Sequence, residues 1–222
     1  MNLTLLKARI HQYLSQIDQR TEALEDLYQQ QQQYVTNWDL TLTDINAMIG
    51  RAANMGHQLW TRPNYFPIES LLSYATYGPE MVRDSFKDLY AEHKDFSGRV
   101  DRFLFHMNWL EKNSQESTYK KKPHYHNEST VFQYLSFCYP QKYALYDSRA
   151  FDQFLNDIAA KKESNLPQLE RFVKASGIVL KIFKSEWGSH NFENIQFQVI
   201  YSQYPMLLVS DLMGTVNSYE CK

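Results

Sequence analysis

Residues 123 to 151, PHYHNESTVFQYLSFCYPQKYALYDSRAF, can be taken either as a chemical centre of histidines, tyrosines and cations or as a helical core that only resembles one. Val131, Tyr134, Leu135 and Cys138 recur three or four residues apart, the spacing of one helical face. Pro140 lacks the backbone N–H that a further turn would use, so that helix stops before it. Asp147 can accept hydrogen bonds from the free N–H groups that open a second helix, which turns Phe151, Phe154, Leu155 and Ile158 inward. The connector YPQKYALY, residues 139 to 146, then fills the angle between the two helices with its tyrosines and Leu145. The stretch is expected to be core with one cationic polar edge.

The same periodicity extends in both directions. Leu3, Leu6, Ile10, Leu14, Ile17, Leu24 and Leu27 form an N-terminal helical stripe, broken once at Thr21, with Gln29 to Gln33 on its solvated side. Thr41 and Asp44 resemble a capping arrangement ahead of Ile45 and Ile49, and Pro67 fits the first turn of a helix burying Ile68, Leu71 and Leu72. Gly78-Pro79 separates that helix from one carrying Val82, Phe86 and Leu89, and a further helix after DFSG buries Val100, Phe103, Leu104 and Met107. Pro167 opens a long helix with Phe172, Ser176, Leu180 and Phe183 in register. Beyond Trp187, IQFQVIY alternates like a strand, and PMLLVSDLM fits a buried strand or a helical turn. The expected fold is mainly α, a multi-helical orthogonal or bundle-like array with a small strand element near the C-terminus. The expected divisions are an N-terminal helical subdomain 1–112, a basic polar loop 113–127 and a C-terminal helical subdomain 128–222, with one continuous helical core as the alternative.

Composition narrows the function. Hydrophobic residues at 43% and charged residues at 22% can fill a core, and seven glycines and seven prolines in 222 residues favour long helices over many short strands. The net charge of −2 gives no global attraction to phosphate, so any nucleic-acid contact must be local. Cys138 and Cys221 form no disulfide framework, no signal-peptide pattern opens the chain, and no apolar run approaches the ~18 residues of a membrane span. A cytoplasmic protein without membrane contact is expected.

Several catalytic signatures are missing from the sequence. It contains no glycine-rich loop ending in lysine and Ser/Thr, no nucleophile elbow and no GxGxxG following a strand. His124 and His126 make one close pair where zinc needs two, so neither a metal site nor a cofactor is expected. Glu92-His93-Lys94 sits at a helix end, where His and Lys suit the dipole better than they suit magnesium. Arg99 and His106 share the spacing of the arginine–histidine motif in HEPN ribonucleases. That alternative would use the imidazole on a ribose 2′-hydroxyl and the guanidinium on the phosphate. The segment from Lys120 onward mixes charge with flat rings. Lys120, Lys121, Lys122 and Lys142 are candidates for phosphate with Arg149 assisting, and Tyr125 and Tyr143 are candidates for stacking on bases.

PEMVRDSFKDLYAEHKDFSGRVDRF followed by HYHNESTVFQYLSFCYPQKYALY resembles the helical region that precedes the motor in bacterial McrB-like restriction proteins. The matching features are Pro79-Glu80, Leu89-Tyr90, Arg99 through Phe103, and Tyr139 through Tyr143, within a span from about Thr41 to Phe151. The sequence departs from the family in showing no AAA+ motor, which fits either a stand-alone relative or a piece that ends ahead of the ATPase. The resemblance implies a non-catalytic recognition or adaptor module of a restriction or anti-phage system that binds DNA and works beside a separately encoded motor ATPase or nuclease. It carries over no catalytic residue. A third reading is an interaction module that forms a homo-oligomer through its N-terminal stripe.

Overall fold

The computed structural model describes residues 1–114, 125–160, 166–188 and 194–219. Among them the chain forms eleven α-helices: α1 (Leu3–Leu14), α2 (Thr21–Asn37), α3 (Ile45–Ala52), α4 (Pro67–Tyr77), α5 (Pro79–Leu89), α6 (Phe96–Ser114), α7 (Glu128–Cys138), α8 (Ser148–Asp157), α9 (Gln168–Trp187), α10 (Ile195–Gln203) and α11 (Pro205–Leu212). A 3-10 turn at Ile17–Arg20 separates α1 from α2, so the N-terminal stripe breaks before Thr21 and Thr21 starts the next helix. Local chemistry sets most of the other boundaries. The Asn2, Asp44, Asp147 and Asn194 side chains accept from backbone N–H groups at the starts of α1, α3, α8 and α10. Pro67, Pro79 and Pro205 occupy the first turns of α4, α5 and α11, where the absent N–H costs nothing.

The mainly α, multi-helical expectation holds, but the strand element near the C-terminus does not. Among the described residues the β-type pairing is confined to an isolated bridge between Arg62 and Tyr65. IQFQVIY is helical because burial follows a three-residue step: Phe197 and Ile200 are covered while Ile195 is 73% exposed. Every position of α11 is buried, Ser210 and Asp211 included, so no exposed residue marks a period that could separate helix from strand.

The described chain divides into two compact units, one of them discontinuous. The discontinuous unit combines Met1–Gln29 with the segment from Tyr139 onward, and the continuous unit is Gln30–Cys138. The boundaries between these units fall inside α2 and at the end of α7. The physical reason is that α1 packs on α9 and α11, which draws the first helix into the C-terminal core. Leu6, Ile10 and Leu14 are buried in that packing, while Leu3, the first residue of the same stripe, is 53% exposed.

In the continuous unit α4, α5 and α6 pack on one another, α3 lies on α4 and α5, and α7 lies on α6. Its centre is aromatic. Tyr34 stacks on Trp38 with centroids 4.6 Å apart, and Tyr134 meets Trp60 at 5.9 Å and Phe86 at 5.0 Å. The glutamine run reaches into this core instead of lying wholly on a wet face. Gln30 and Gln31 are buried, and Gln31 Nε2 donates to the Phe137 carbonyl at 2.8 Å.

In the discontinuous unit the connector after α7 is folded inward, with Tyr143, Ala144, Leu145 and Tyr146 all buried. Leu145 N donates to Ser210 Oγ on α11 at 2.9 Å, and the Tyr146 and Phe151 rings lie 4.8 and 5.0 Å from Phe172 on α9. The connector's partners are therefore α9 and α11.

Candidate nucleic-acid interface

The residues expected to contact nucleic acid are divided among the two units and the residues outside the described structure. Lys120, Lys121 and Lys122, with His124, lie outside the described residues. Tyr125 belongs to the continuous unit, and Lys142, Tyr143 and Arg149 belong to the discontinuous one. The stacking role of both tyrosines is corrected by burial. Tyr125 is 5% exposed and set edge-on to Tyr65 and Phe66, while Tyr143 is 1% exposed and packed against Tyr139. Neither ring has a face open to a base. Lys142 remains exposed, its ammonium 5.2 Å from the Tyr143 centroid, and Arg149 is exposed in the first turn of α8.

A cation surface that the sequence reading passed over lies on α9. From Arg171 to Ser185 the helix carries Arg171, Lys174, Lys181 and Lys184 and no acidic residue. At 100° per residue, Lys174, Lys181 and Lys184 fall within about 80° of one another. All three are exposed, and the glycine between the first two, Gly177, is exposed on the same face. Lys181 and Lys184 have no ion-pair partner among the described residues. The opposite side of α9 carries Phe172, Ser176, Val179 and Phe183 into the core. Glu186 points away from the lysine face toward α1, where it pairs with Lys7 at 2.8 Å and His11 at 2.9 Å. The Lys7 ammonium, aided by His11, holds the Glu186 carboxyl below its ordinary range.

Arg149 lies on α8. It lies one turn ahead of Asp152, which pairs with Arg171 on α9 at 3.8 Å, and the Arg171 guanidinium also covers the Phe151 ring at 5.5 Å. Ile178, beside Lys174, lines a small recess with Met1, Leu155 and Ala175, so the face is cationic with one apolar inset. The signal for these lysines was present in the sequence as polar positions seven and three apart, opposite a stripe already recognised as core.

The groups named for acid–base chemistry are held in packing contacts. Arg99 is 1% exposed; its guanidinium donates to Glu92 Oε1 at 2.7 Å and to the Leu89 carbonyl at 2.5 Å. His106 Nδ1 lies 3.0 Å from Ser85 Oγ. Lys94 and Arg102 both bind Asp88, at 2.5 and 2.7 Å, and the bond from Arg102 leads in holding the Asp88 carboxyl below its ordinary range. His126 is buried with Nε2 3.1 Å from the Tyr134 hydroxyl. No group of three His, Cys, Asp or Glu side chains among the described residues could hold a metal ion, and none of the described helices is long and apolar enough to cross a membrane. The open aromatic rings lie instead on the continuous unit: Phe105 is 67% exposed and Trp109, one turn on, is 39% exposed with Tyr77 at 6.3 Å.

Comparison of the chain with protein-family models, curated proteins and solved structures gives no match.

Proposed function

We propose that the protein is a non-catalytic nucleic-acid-binding module whose phosphate-contacting surface is the solvent face of α9, extended by Arg149 on α8. The observation that carries this reading is the run of four cations and no acid between Arg171 and Ser185, with three of them on one exposed helical face. Such a face gives a chain of net charge −2 the local positive field that a polyanion needs. A single helix also holds its lysines in fixed register, so the ordering entropy of a loop is not lost on binding. The McrB-like resemblance supports DNA as the nucleic acid and a recognition or adaptor role beside a motor ATPase or nuclease; that context rests on the resemblance alone.

The test is a titration of labelled duplex DNA across a salt series. Changing Lys174, Lys181 and Lys184 together to Gln is expected to weaken binding and to flatten the slope of log affinity against log salt by up to about three, near 0.9 per lost phosphate contact. A triple Gln variant of Lys120, Lys121 and Lys122 forms a separate arm. An unchanged slope in the α9 variant rejects this surface, and absence of salt-sensitive binding in the wild type rejects the function.

A further inference from the structure

On the discontinuous unit, at the C-terminal end of α1, a cleft of about 230 Å³ opens between that helix, the turn after it and the end of α11. Its floor is hydrogen-bonded and electrically neutral. Arg20 Nη2 donates to Asp211 Oδ1 at 2.8 Å and to Asn217 Oδ1 at 3.1 Å, and Arg20 Nε reaches both Asp211 oxygens at 3.2 Å. The Tyr13 hydroxyl donates to Asp211 Oδ2 at 2.9 Å. Burial, with the adjacent Asp211 carboxylate, keeps that phenol protonated far above its ordinary range. Gly214, at φ +80°, turns the chain sharply after α11 and leaves the cleft mouth free of a side chain there.

The walls differ in character from the floor. Arg9, Gln12, Gln16 and Gln19 line the cleft, all four are exposed, and none of their side chains has a hydrogen-bond or ion-pair partner among the described residues. Arg9 therefore leaves the cleft one unit positive. The three carboxamides offer both donors and acceptors around it.

We propose that this cleft binds a small phosphate ester of a polyhydroxylated carrier, on the scale of a sugar phosphate. The Arg9 guanidinium meets the phosphate in its planar fork, and the phosphate's remaining oxygen accepts from a glutamine N–H. A carboxylate offers two oxygens, both facing the fork, where a phosphate turns a third toward the carboxamides. Those carboxamides pair with carrier hydroxyls, which both donate and accept as the amides do. The volume lies below the ~300–1,000 Å³ of clefts that take drug-sized ligands, which suits one sugar ring and excludes a dinucleotide.

Calorimetry on the full chain with ribose 5-phosphate tests the site. Saturable binding is expected, weakened about tenfold or more by Arg9→Gln, a loss of a charged bidentate contact, and several-fold by Gln16→Ala. Because Arg9 and Gln16 are exposed, both variants should keep the wild-type melting temperature. A Lys181→Gln, Lys184→Gln variant should bind the ligand as the wild type does, which separates this site from the α9 surface. Equal affinity of wild type and Arg9→Gln overturns the proposal, as does inorganic phosphate binding as tightly as the ester. Binding of a 5′-phosphorylated oligonucleotide without binding of ribose 5-phosphate also overturns it, assigning the cleft to nucleic-acid ends instead.

Discussion

Arg99 shows how a side chain that looks reactive in one dimension becomes structural in three. Its charge sits in the helical core of the continuous unit, where a guanidinium is tolerated only with its hydrogen bonds made. Glu92 and the Leu89 carbonyl supply them. Arg99→Ala would leave that carboxylate and carbonyl facing a gap, and we expect a loss of about 3 kcal/mol in urea unfolding. Wild-type stability in this variant would mean the ion pair contributes nothing. The arginine–histidine spacing was visible in the sequence; the burial was not, because Glu92 is seven residues away on a different turn and only the packing of α5 on α6 brings it close. Tyr125 and Tyr143 misled in the same manner. A tyrosine beside lysines has the same local spelling whether its ring faces solvent or core.

At the scale of elements the sequence was far more legible, since helix ends are fixed by nearest neighbours. Asp147 was recognisable as a cap, and its carboxylate accepts from Ala150 N at 2.8 Å. Asp147→Ala should cost about 1 kcal/mol, read as a shift in the denaturant midpoint, with Asp147→Ser recovering most of it. No shift in the Ala variant would show that α8 is held by its Phe151 and Phe154 packing alone. The helices that escaped recognition are those whose pattern lacked contrast. α11 has no exposed position to mark a period, and α10 buries only Phe197 and Ile200. In α9 the apolar stripe was legible, whereas the lysines opposite it are spelled like any solvated helix face.

Across the whole molecule the buried phenols set a common response to alkali. Burial raises Tyr13, Tyr34, Tyr90 and Tyr134 well above their ordinary value, and it raises the Cys138 thiol to about 12. Each raised group keeps its proton when folded and loses it near the ordinary value when unfolded. Its contribution is full at neutral pH and declines as pH rises from about 9 to 10 toward the folded value. We expect unfolding midpoints to be flat from about pH 7 to pH 8.5 and to fall steeply above about pH 10, with the phenolate absorbance of the buried rings appearing only on unfolding. Phenolate from every tyrosine without loss of helix would contradict the packing described above. The division into units was the least legible feature at any scale, because no local signal in Met1–Gln29 announces a partner more than a hundred residues later. That division also has a consequence for synthesis. The first helix leaves the ribosome long before α9 and α11 exist, so its Leu6–Ile10–Leu14 ridge is unsheltered for on the order of ten seconds of translation. The middle segment has all its partners in hand and can collapse as soon as it emerges. The continuous unit thus forms ahead of the discontinuous one, and α1 is the helix most in need of a chaperone while it waits.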